Sequence, residues 1–280
     1  LVIINTQRGG PSTGLPTKTE QSDFNQALYG RHADTMLPVV SASSSVDCFD
    51  VAIEACRLAV QFMTPVILLS DGYMANASEP WLVPDITSYK PFPVNFEKEV
   101  KNFTPAKRDP ETLARIWAKP GTPGLEHRIG GIEKDIDTGN ISYDSENHQA
   151  MTDLRERKIE NIAHYIPKQT VSSGPEKGKL AVVGWGSTYG AIHQAVRRCL
   201  QENLDVAHIH VRYLNPLPSN LEILLSGYEN IPVPEMNTGQ FVNLLRSKFL
   251  FDAKAFNKVS GQPFKIREIE YEIKKILGVS

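Results

Sequence analysis

The stretch from residue 1 to residue 17, "LVIINTQRGGPSTGLPT", decides how the fold begins and where its first functional loop lies. Its first four residues are apolar, which is typical of a buried strand in a parallel sheet. The residues after Gln7 are mainly glycine, proline and hydroxyl-bearing residues, with one cation at Arg8. Ligands bind at the carboxyl ends of strands in open α/β sheets. The stretch therefore predicts a buried strand followed by a binding loop.

Arg8 is the charged residue of this loop, and two explanations for it remain open. Gly9 and Gly14 would let the backbone approach a ligand closely, and Ser12 and Thr13 supply hydroxyl and backbone donors. A guanidinium presents a planar fork that matches a carboxylate, which favours an anion-recognition loop for a carboxylate or a phosphate. The alternative is a rigid turn in which the arginine caps a helix or makes an ion pair.

Strand and helix patterns alternate in the first part of the chain and again in the last part. Up to residue 73 the order is strand, short helix closed by Gly30, strand, amphipathic helix and strand, which predicts a parallel α/β sheet. Residues 80–150 are rich in proline, glycine and polar side chains and predict an irregular extension. Residues 151–166 predict an amphipathic linker helix. From Lys179 the α/β pattern returns, with "VAHIHVRYL" as one strand.

The amino-acid composition limits the classes of function that the chain can have. Hydrophobic residues make up 41% of the 280 residues and charged residues 22%, with a net charge of −2, so general attraction to nucleic acid or to an anionic membrane is not expected. No apolar run approaches the roughly 20 residues that a membrane span needs. Three scattered cysteines without a CxxC pair argue against an iron–sulfur cluster or structural zinc in this chain, and they fit a reducing cytoplasm.

Several other motifs have both a functional and a structural interpretation. "YGRHAD" (29–34) offers Arg31 and His32 as site residues, although a loop histidine is more often structural. "SDGY" (70–73) resembles half of a metal–diphosphate motif, but a strand-end turn without metal is favoured. For "GWGSTYG" (184–190), close helix–strand packing is favoured over dinucleotide binding. For "HIH" (208–210), burial or surface exposure is favoured over a metal site, and "EHRIGG" (126–131) stays undecided.

Seven longer stretches point to a known family. They are "QRGGPSTGLPTKTEQSDFNQALYGRHAD", "PVILLSDGYMANASEPW", "PGTPGLEHRIGG", "GNISYDSENHQAMTDLRERK", "VVGWGSTYGAI", "RYLNPLP" and "VPEMNTGQ". Together they resemble the alpha subunit of the 2-oxoacid:ferredoxin oxidoreductases, most closely those of the 2-oxoglutarate type. The resemblance runs over nearly the whole chain, and the loop at 7–17 and the block at 121–131 are its specific parts.

The resemblance implies an α/β fold with two parallel-sheet domains. Residues 1–88 would be the later half of a thiamine-enzyme pyrimidine-binding domain, and residues 89–150 its irregular extension. Residues 151–173 would be a linker helix and hinge. Residues 174–280 would be a transketolase C-terminal-like domain.

The resemblance also implies an enzyme complex that works in the cytoplasm. It would oxidatively decarboxylate 2-oxoglutarate with CoA to succinyl-CoA and CO2, reduce ferredoxin, and use thiamine diphosphate with Mg²⁺. A beta subunit would hold most of the cofactor, and an iron–sulfur cluster would lie in a partner subunit. The assembly would be a homo- or hetero-oligomer, without nucleic acid or membrane. The alternatives are a paralogue acting on pyruvate or a branched-chain 2-oxoacid, and a noncatalytic assembly module.

The family loop matching "QRGGPSTG" carries an arginine, so the resemblance assigns recognition of the substrate carboxylate to Arg8. The neighbouring residues would shape the substrate pocket: Gly9, Ser12, Thr13 and Gly14. Arg31 and His32 would line the site. No residue of the chain is assigned as a catalytic group or a metal ligand.

Two features of the family are not found in the sequence. The family's "YPITPS"-type motif, with its threonine, and the acid that activates the aminopyrimidine ring are not found. We therefore expect the polypeptide to extend upstream of Leu1, and we expect the chain alone to be inactive.

Overall fold

The computed structural model describes residues 1–32, 34–92, 94, 96–101 and 103–279. Its first sheet has four strands, in the order β1-β3-β2-β6. The strands are β1 (Val2–Gln7), β2 (Val39–Ser41), β3 (Val66–Asp71) and β6 (Tyr213–Asn215). The strands β1, β3 and β2 are parallel, whereas β6 pairs with β2 in the antiparallel direction.

The second part of the chain builds a smaller sheet and a separate strand pair. The sheet order is β5-β4-β7, from β4 (Gly178–Gly184), β5 (Val206–His210) and β7 (Tyr228–Asn230). The pair is β8 (Pro232–Glu235) with β9 (Lys254–Asn257), and all these pairings are parallel. The α/β fold with parallel sheets that the sequence predicts is confirmed.

Eight α-helices accompany these strands in the described residues. They are α1 (Phe24–Tyr29), α2 (Asp47–Gln61), α3 (Gly72–Asn76), α4 (Ser145–Asn161), α5 (Tyr189–Gln201), α6 (Leu221–Leu225), α7 (Gln240–Phe249) and α8 (Ile266–Leu277). One buried cluster joins the two sheets, because Phe24 and Leu69 belong to the same core as Trp185 and Phe241. In the part of the chain that the structure describes, no helix is long and apolar enough to cross a membrane.

The first strand is less buried than its apolar sequence predicts. Ile3 is 43% exposed and Ile4 63% exposed, so the expectation of a buried strand is wrong for this chain. The reason is that Ile3 and Ile4, which point to opposite faces of the sheet, are not covered by another element among the described residues, and β1 is also an edge strand that pairs only with β3 there. An apolar run predicts a strand well, but it does not tell whether both faces are covered.

Two other boundaries differ from the sequence prediction. "VAHIHVRYL" is not one strand, because it divides into β5 and β6, which belong to different sheets. The linker helix begins at Ser145, six residues before the predicted start, with Asp144 accepting a hydrogen bond from Asn147 N as its N-cap. Its last turns pack on the first sheet, since Ile159 and Ile162 share a cluster with Val40 and Val51.

A buried carboxylate joins β8 to the following helix. Glu235 is fully buried, and Phe241 N and Val242 N at the start of α7 donate to its two oxygens at 2.8 and 2.9 Å. Trp185 Nε1 and Asn237 Nδ2 donate to Oε1 at 3.1 and 3.0 Å. Burial raises the pKa of Glu235, and these four donors oppose that rise. The carboxylate thus satisfies the first amides of α7, where an anion is favoured.

The glycines at 184 and 186 have the packing role that the sequence predicts. A Cβ on Gly184 would lie 2.3 Å from Ile192 Cδ1, and a Cβ on Gly186 would lie 2.6 Å from Gln21 Nε2. Gly186 also has a φ of +61°. A Cβ on Gly190 would meet no described atom within 4 Å, so close packing does not explain that glycine.

Alanine at Gly184 and alanine at Gly190 should therefore change the stability of the protein differently. We expect Gly184→Ala to lower the free energy of unfolding by about 1–3 kcal/mol, because the core must shift to admit a methyl group. Gly190→Ala lies in the first turn of α5 and is expected to be neutral or to stabilise by up to about 1 kcal/mol. Urea unfolding of both variants measures the difference. Equal stability of the two variants would contradict the packing role of Gly184.

Candidate functional site

The loop after β1 begins at the carboxyl edge of the first sheet. Gln7 pairs with Asp71, the last residue of β3, so both strands end side by side. The Gln7 side chain fixes this edge, because Nε2 donates to Ser70 O at 3.2 Å and Oε1 accepts from Asp23 N at 3.1 Å. The placement at a strand end that the sequence predicts for Arg8 is therefore observed.

The loop is held closed by its own backbone. Gly9 N donates to Lys18 O at 2.9 Å, and Leu15 N donates to Gly9 O at 2.8 Å. Ser12 has a φ of 55° and Gly14 a φ of 46°. A Cβ on Gly14 would lie 2.2 Å from Gly9 O, so this position requires glycine for space as well as for backbone conformation.

Arg8 braces the loop with one end of its guanidinium. Nη1 donates to Thr13 O at 2.5 Å, and Nη2 donates to Ser12 O at 2.8 Å. A longer bond joins Nη1 to Gly9 O at 3.4 Å. Of its five N–H donors, the Nε hydrogen and one Nη2 hydrogen make no bond to any residue that the structure describes. The side chain thus stiffens the turn and keeps a donor edge that can pair with an anion.

A buried carboxyl group lies where β3 ends. Asp71 is 1% exposed, and its Oδ1 accepts from Tyr73 N and Met74 N at 3.0 and 3.2 Å, which caps α3. The sequence predicts a turn at this strand end, but β3 passes directly into α3 at Gly72, so that prediction is wrong. Burial raises the pKa of Asp71, and hydrogen-bond donors around it oppose the rise.

Two buried hydroxyl groups lie beside Asp71. Those of Thr19 and Ser187 are close enough to lower the pKa of Asp71. The two residues are 4% and 8% exposed, and neither hydroxyl makes a hydrogen bond of good geometry in the described parts of the chain. No sequence pattern indicated this group, because its members come from three distant segments.

Two adjoining cavities open at this edge. A cavity of about 380 Å³ lies between the loop and α3, and its walls include Thr17, Thr19 and Tyr73. A larger cavity of about 610 Å³ extends from Tyr73 to the start of α5, with Ser187 and Tyr189 in its wall. The two share Tyr73, so the carboxyl edge offers room for a ligand that spans both parts of the fold.

Arg31 and His32 lie elsewhere. Arg31 caps the end of α1, because Nη1 donates to Ala27 O at 3.0 Å and Nη2 to Leu28 O at 2.9 Å. His32 is exposed, on the segment that leads to the amino end of β2. The structure does not bring these residues to the loop of Arg8, and their role in lining the site stays a prediction.

The "HIH" pair belongs to a partly buried group of rings around Tyr189. The ring centres of His193, His208 and His210 lie 5.4, 5.4 and 5.0 Å from that of Tyr189. Burial and the neighbouring charged groups lower the pKa of His208 and bring that of His210 to about 3. The sequence favours burial or surface exposure over a metal site for this pair, and His208 is completely buried. Among the described residues, no three His, Cys, Asp or Glu side chains are arranged to hold a metal ion.

The "EHRIGG" segment is held locally. Gly124 N donates to Glu126 Oε2 at 2.8 Å, and His127 Nδ1 lies 2.7 Å from Leu125 O. The His127 ring also packs against Phe103, with ring centres 5.5 Å apart. These contacts give the segment a structural role, and they leave a role toward a partner open.

The chain has clear relatives among characterised proteins. It is 49% identical over 278 residues to the 2-oxoglutarate oxidoreductase subunit KorA of Mycobacterium tuberculosis. This alignment covers 99% of this chain and 42% of the KorA subunit. It is 30% identical to the 2-oxoacid:ferredoxin oxidoreductase 2 subunit alpha of Aeropyrum pernix, over 99% of this chain and 44% of that one. The chain thus spans less than half the length of these relatives.

Two solved structures are similar to the chain. The first is a 2-oxoglutarate:ferredoxin oxidoreductase from Magnetococcus marinus with 2-oxoglutarate, coenzyme A and succinyl-CoA bound. It has a TM-score of 0.93 at 28% identity and covers 99% of this chain and 48% of that one. The second is a split-gene transketolase, with a TM-score of 0.51 at 11% identity over 99% of this chain and 66% of that one. The second likeness shows the fold alone.

A family model gives the decisive match. The model described as "pyruvate flavodoxin/ferredoxin oxidoreductase, thiamine diP-bdg" matches residues 1–145, which is more than half of the chain. This range contains the loop of Arg8, the first three strands and most of the irregular extension. The chain therefore belongs to the pyruvate flavodoxin/ferredoxin oxidoreductase family.

Proposed function

We propose that the chain is part of the alpha subunit of a 2-oxoglutarate:ferredoxin oxidoreductase. The complex would convert 2-oxoglutarate and CoA to succinyl-CoA and CO2 and pass the electrons to ferredoxin. The support is the 49% identity to a 2-oxoglutarate oxidoreductase subunit over 99% of the chain. The site geometry agrees, because a constrained loop carries an arginine at the carboxyl edge of a parallel sheet.

The site proposal rests on the hydrogen bonds of the Arg8 guanidinium. One of its ends is bonded to the loop, and its Nε edge is not bonded to any residue that the structure describes. One end is fixed by Ser12 O and Thr13 O, so the side chain is already positioned before substrate arrives. The Nε edge is left to pair with a carboxylate of the 2-oxoacid, and a prepositioned fork loses little entropy on binding. The loop residues Gly9, Ser12, Thr13 and Gly14 would shape the pocket.

We assign the diphosphate–metal end of thiamine diphosphate to a beta subunit, together with the iron–sulfur cluster that serves ferredoxin. The support is that "SDGY" (70–73) matches only half of a metal–diphosphate motif, without the asparagine pair expected about 25 residues later. This chain would contribute the substrate loop and an assembly surface, in a complex located in the cytoplasm.

The exposed apolar side chains of β1, which lie on both faces of the strand, support the assembly role. Leu1, Ile3 and Ile4 are 78%, 43% and 63% exposed on an edge strand. Exposed apolar patches of this kind mark interaction surfaces. For the domain assignment, the support is that β1, β2 and β3 build one sheet whereas β4, β5 and β7 build another.

Two alternatives have specific support. A paralogue that uses pyruvate or a branched-chain 2-oxoacid is favoured by the family description, which names pyruvate. A noncatalytic assembly module is favoured by the bonds of Arg8 to its own loop, since they are what a stiff interface loop would need.

The test of the proposed function is an assay of the assembled complex. We expect CoA-dependent reduction of a viologen dye with 2-oxoglutarate, at a kcat/KM at least about tenfold above that with pyruvate or a branched-chain 2-oxoacid. A preference for another 2-oxoacid would replace the substrate assignment. No turnover with any 2-oxoacid by a fully assembled, cofactor-loaded complex would favour the assembly module.

A further inference from the structure

The irregular extension places two arginines directly opposite each other. Arg108 and Arg115 form an isolated antiparallel bridge. The flanking hydrogen bonds run from Asp109 N to Ala114 O at 2.8 Å and from Ile116 N to Lys107 O at 3.3 Å. This pattern defines a non-hydrogen-bonded pair, in which the Cα atoms are about 4.5 Å apart and both side chains leave on the same face. Like charges in such a pair repel each other.

A third cation, Lys158 on α4, lies close to these two arginines. Lys158 is partly buried, and its Nζ reaches Met63 O only at 3.5 Å. Burial, followed by the charges of Arg108 and Arg115, lowers the pKa of Lys158 to about 8. The three side chains, which we call the cation cluster, are therefore close enough to repel one another.

The cation cluster has no acidic partner in the described ranges of the chain. Arg108 donates through Nη1 to Leu113 O at 3.3 Å, while its buried Nε has no hydrogen-bond partner there. Two neighbouring arginines form ion pairs. Arg155 Nη2 lies 2.5 Å from Glu133 Oε2, and Arg57 Nη2 lies 2.6 Å from Glu54 Oε1. The chain thus pairs adjacent arginines with carboxylates, whereas the partly buried cluster forms no ion pair among the described residues, so an anion that binds there would relieve its repulsion.

A cavity lies beside the cluster. It has a volume of about 580 Å³, and its wall contains the cations Arg115, Lys90 and Arg57 and one carboxylate, that of Asp109. The aromatic rings of Phe92 and Trp117 also line it, and Trp117 is fixed by a hydrogen bond from Nε1 to Val60 O at 3.1 Å. The volume suits a small ligand with a ring system, and the cations suit an anionic group on it.

We propose that the cation cluster and this cavity form a binding site for a phosphate-bearing ligand. Arg115 would contact the phosphate, and Arg108 and Lys158 would supply the surrounding positive field. A phosphate carries more than one negative charge and three acceptor oxygens, so one group can balance several cations. The proposal goes beyond the proposed function, because it concerns a surface remote in sequence from the Arg8 loop and does not depend on the 2-oxoacid.

The proposal is tested by measuring how two probes bind to the intact, assembled protein at constant ionic strength. Inorganic phosphate and 3′,5′-ADP are each followed by calorimetry and by thermal unfolding, with sodium chloride as the matched salt. We expect both probes to bind and to raise the Tm. Tighter binding of 3′,5′-ADP would identify the ligand as a phosphorylated nucleoside, and equal affinity would identify free phosphate. If neither probe binds, the cations are neutralised by a carboxylate elsewhere in the assembly and the proposal is wrong.

Variants separate binding from folding. Arg115→Gln should weaken binding of the bound probe about 10- to 100-fold. Its ligand-free Tm should be unchanged or higher, because a repulsive charge is removed. Arg115→Lys keeps the positive charge but loses the planar fork of donors, so we expect an affinity between those of the wild type and Arg115→Gln. If Arg115→Gln fails to fold, Arg115→Lys replaces it in the test. The matched control Arg267→Gln removes an exposed arginine of α8 and should bind like the wild type. Undiminished binding by Arg115→Gln would overturn the proposal.

The titration of Lys158 gives a second measurement. Its lowered pKa means that the folded protein binds fewer protons than the unfolded chain between about pH 8 and the ordinary lysine pKa of 10.5. Stability should therefore rise as pH increases through that range. A bound phosphate should raise the pKa of Lys158 and flatten this rise. An unchanged Lys158 pKa in the presence of a saturating probe would contradict the site.

Discussion

Replacing Arg8 with alanine is expected to raise the KM for the 2-oxoacid by about 30- to 5,000-fold while the complex still assembles. The physical reason is the loss of a charge-assisted, two-point pair, which costs about 2–5 kcal/mol. The measurement is CoA-dependent viologen reduction by the wild-type and variant complexes at matched subunit content. Normal turnover with normal KM would show that Arg8 only stiffens its loop.

The bracing bonds of Arg8 call for a second variant. Alanine also removes the donors to Ser12 O and Thr13 O, so loop disorder alone would lower activity. Arg8→Lys keeps the positive charge but cannot both brace the loop and present a fork. We expect its KM to lie between those of the wild type and Arg8→Ala. Arg197→Ala, which removes an exposed arginine of α5, is the matched control and should leave KM unchanged.

Replacing Glu235 with alanine is expected to lower the free energy of unfolding by at least about 3 kcal/mol. The change leaves four buried donors without their acceptor, among them Trp185 Nε1 and the first amides of α7. Each unsatisfied buried donor costs about 1–3 kcal/mol. Urea unfolding followed by tryptophan fluorescence measures the loss, since Trp185 reports directly on this contact.

Two controls test the origin of that loss. Glu229→Ala removes an exposed carboxylate from β7 and should change stability by less than about 0.5 kcal/mol. Glu235→Gln keeps one carbonyl acceptor but turns an amide group toward other donors, so an intermediate loss is expected. If Glu235→Ala is as stable as Glu229→Ala, the buried carboxylate is not an anchor for α7.

Local patterns predicted the local structure of this chain. Gly30 closes α1 as expected, with its amide donating to Gln26 O at 2.9 Å, and the apolar run after Pro65 forms β3. Helix periodicity and turn residues suffice for such elements, because the forces that define them act between neighbours in the sequence. The position of Arg8 at a strand end could be predicted for the same reason.

Contacts between distant segments could not be predicted. Nothing near Asp71 in the sequence shows that Thr19 and Ser187 would meet it, since three segments must fold before they are neighbours. The bonds of Arg8 to its own loop depend on the left-handed backbone at Ser12, which no propensity favours for serine. The facing of Arg108 and Arg115 depends on bridge register, which a sequence without regular strands does not specify.

The antiparallel pairing of β6 with β2 has a consequence for how the polypeptide acquires its shape. Val40 pairs with Tyr213, so the fourth strand of the first sheet is synthesised long after the other three. A nascent chain that has emerged only through the irregular extension would present β2 with an open edge, which invites pairing with other chains. Non-local pairing of this kind also slows folding. The two halves are thus poor candidates for separate expression or for exchange as independent modules between relatives.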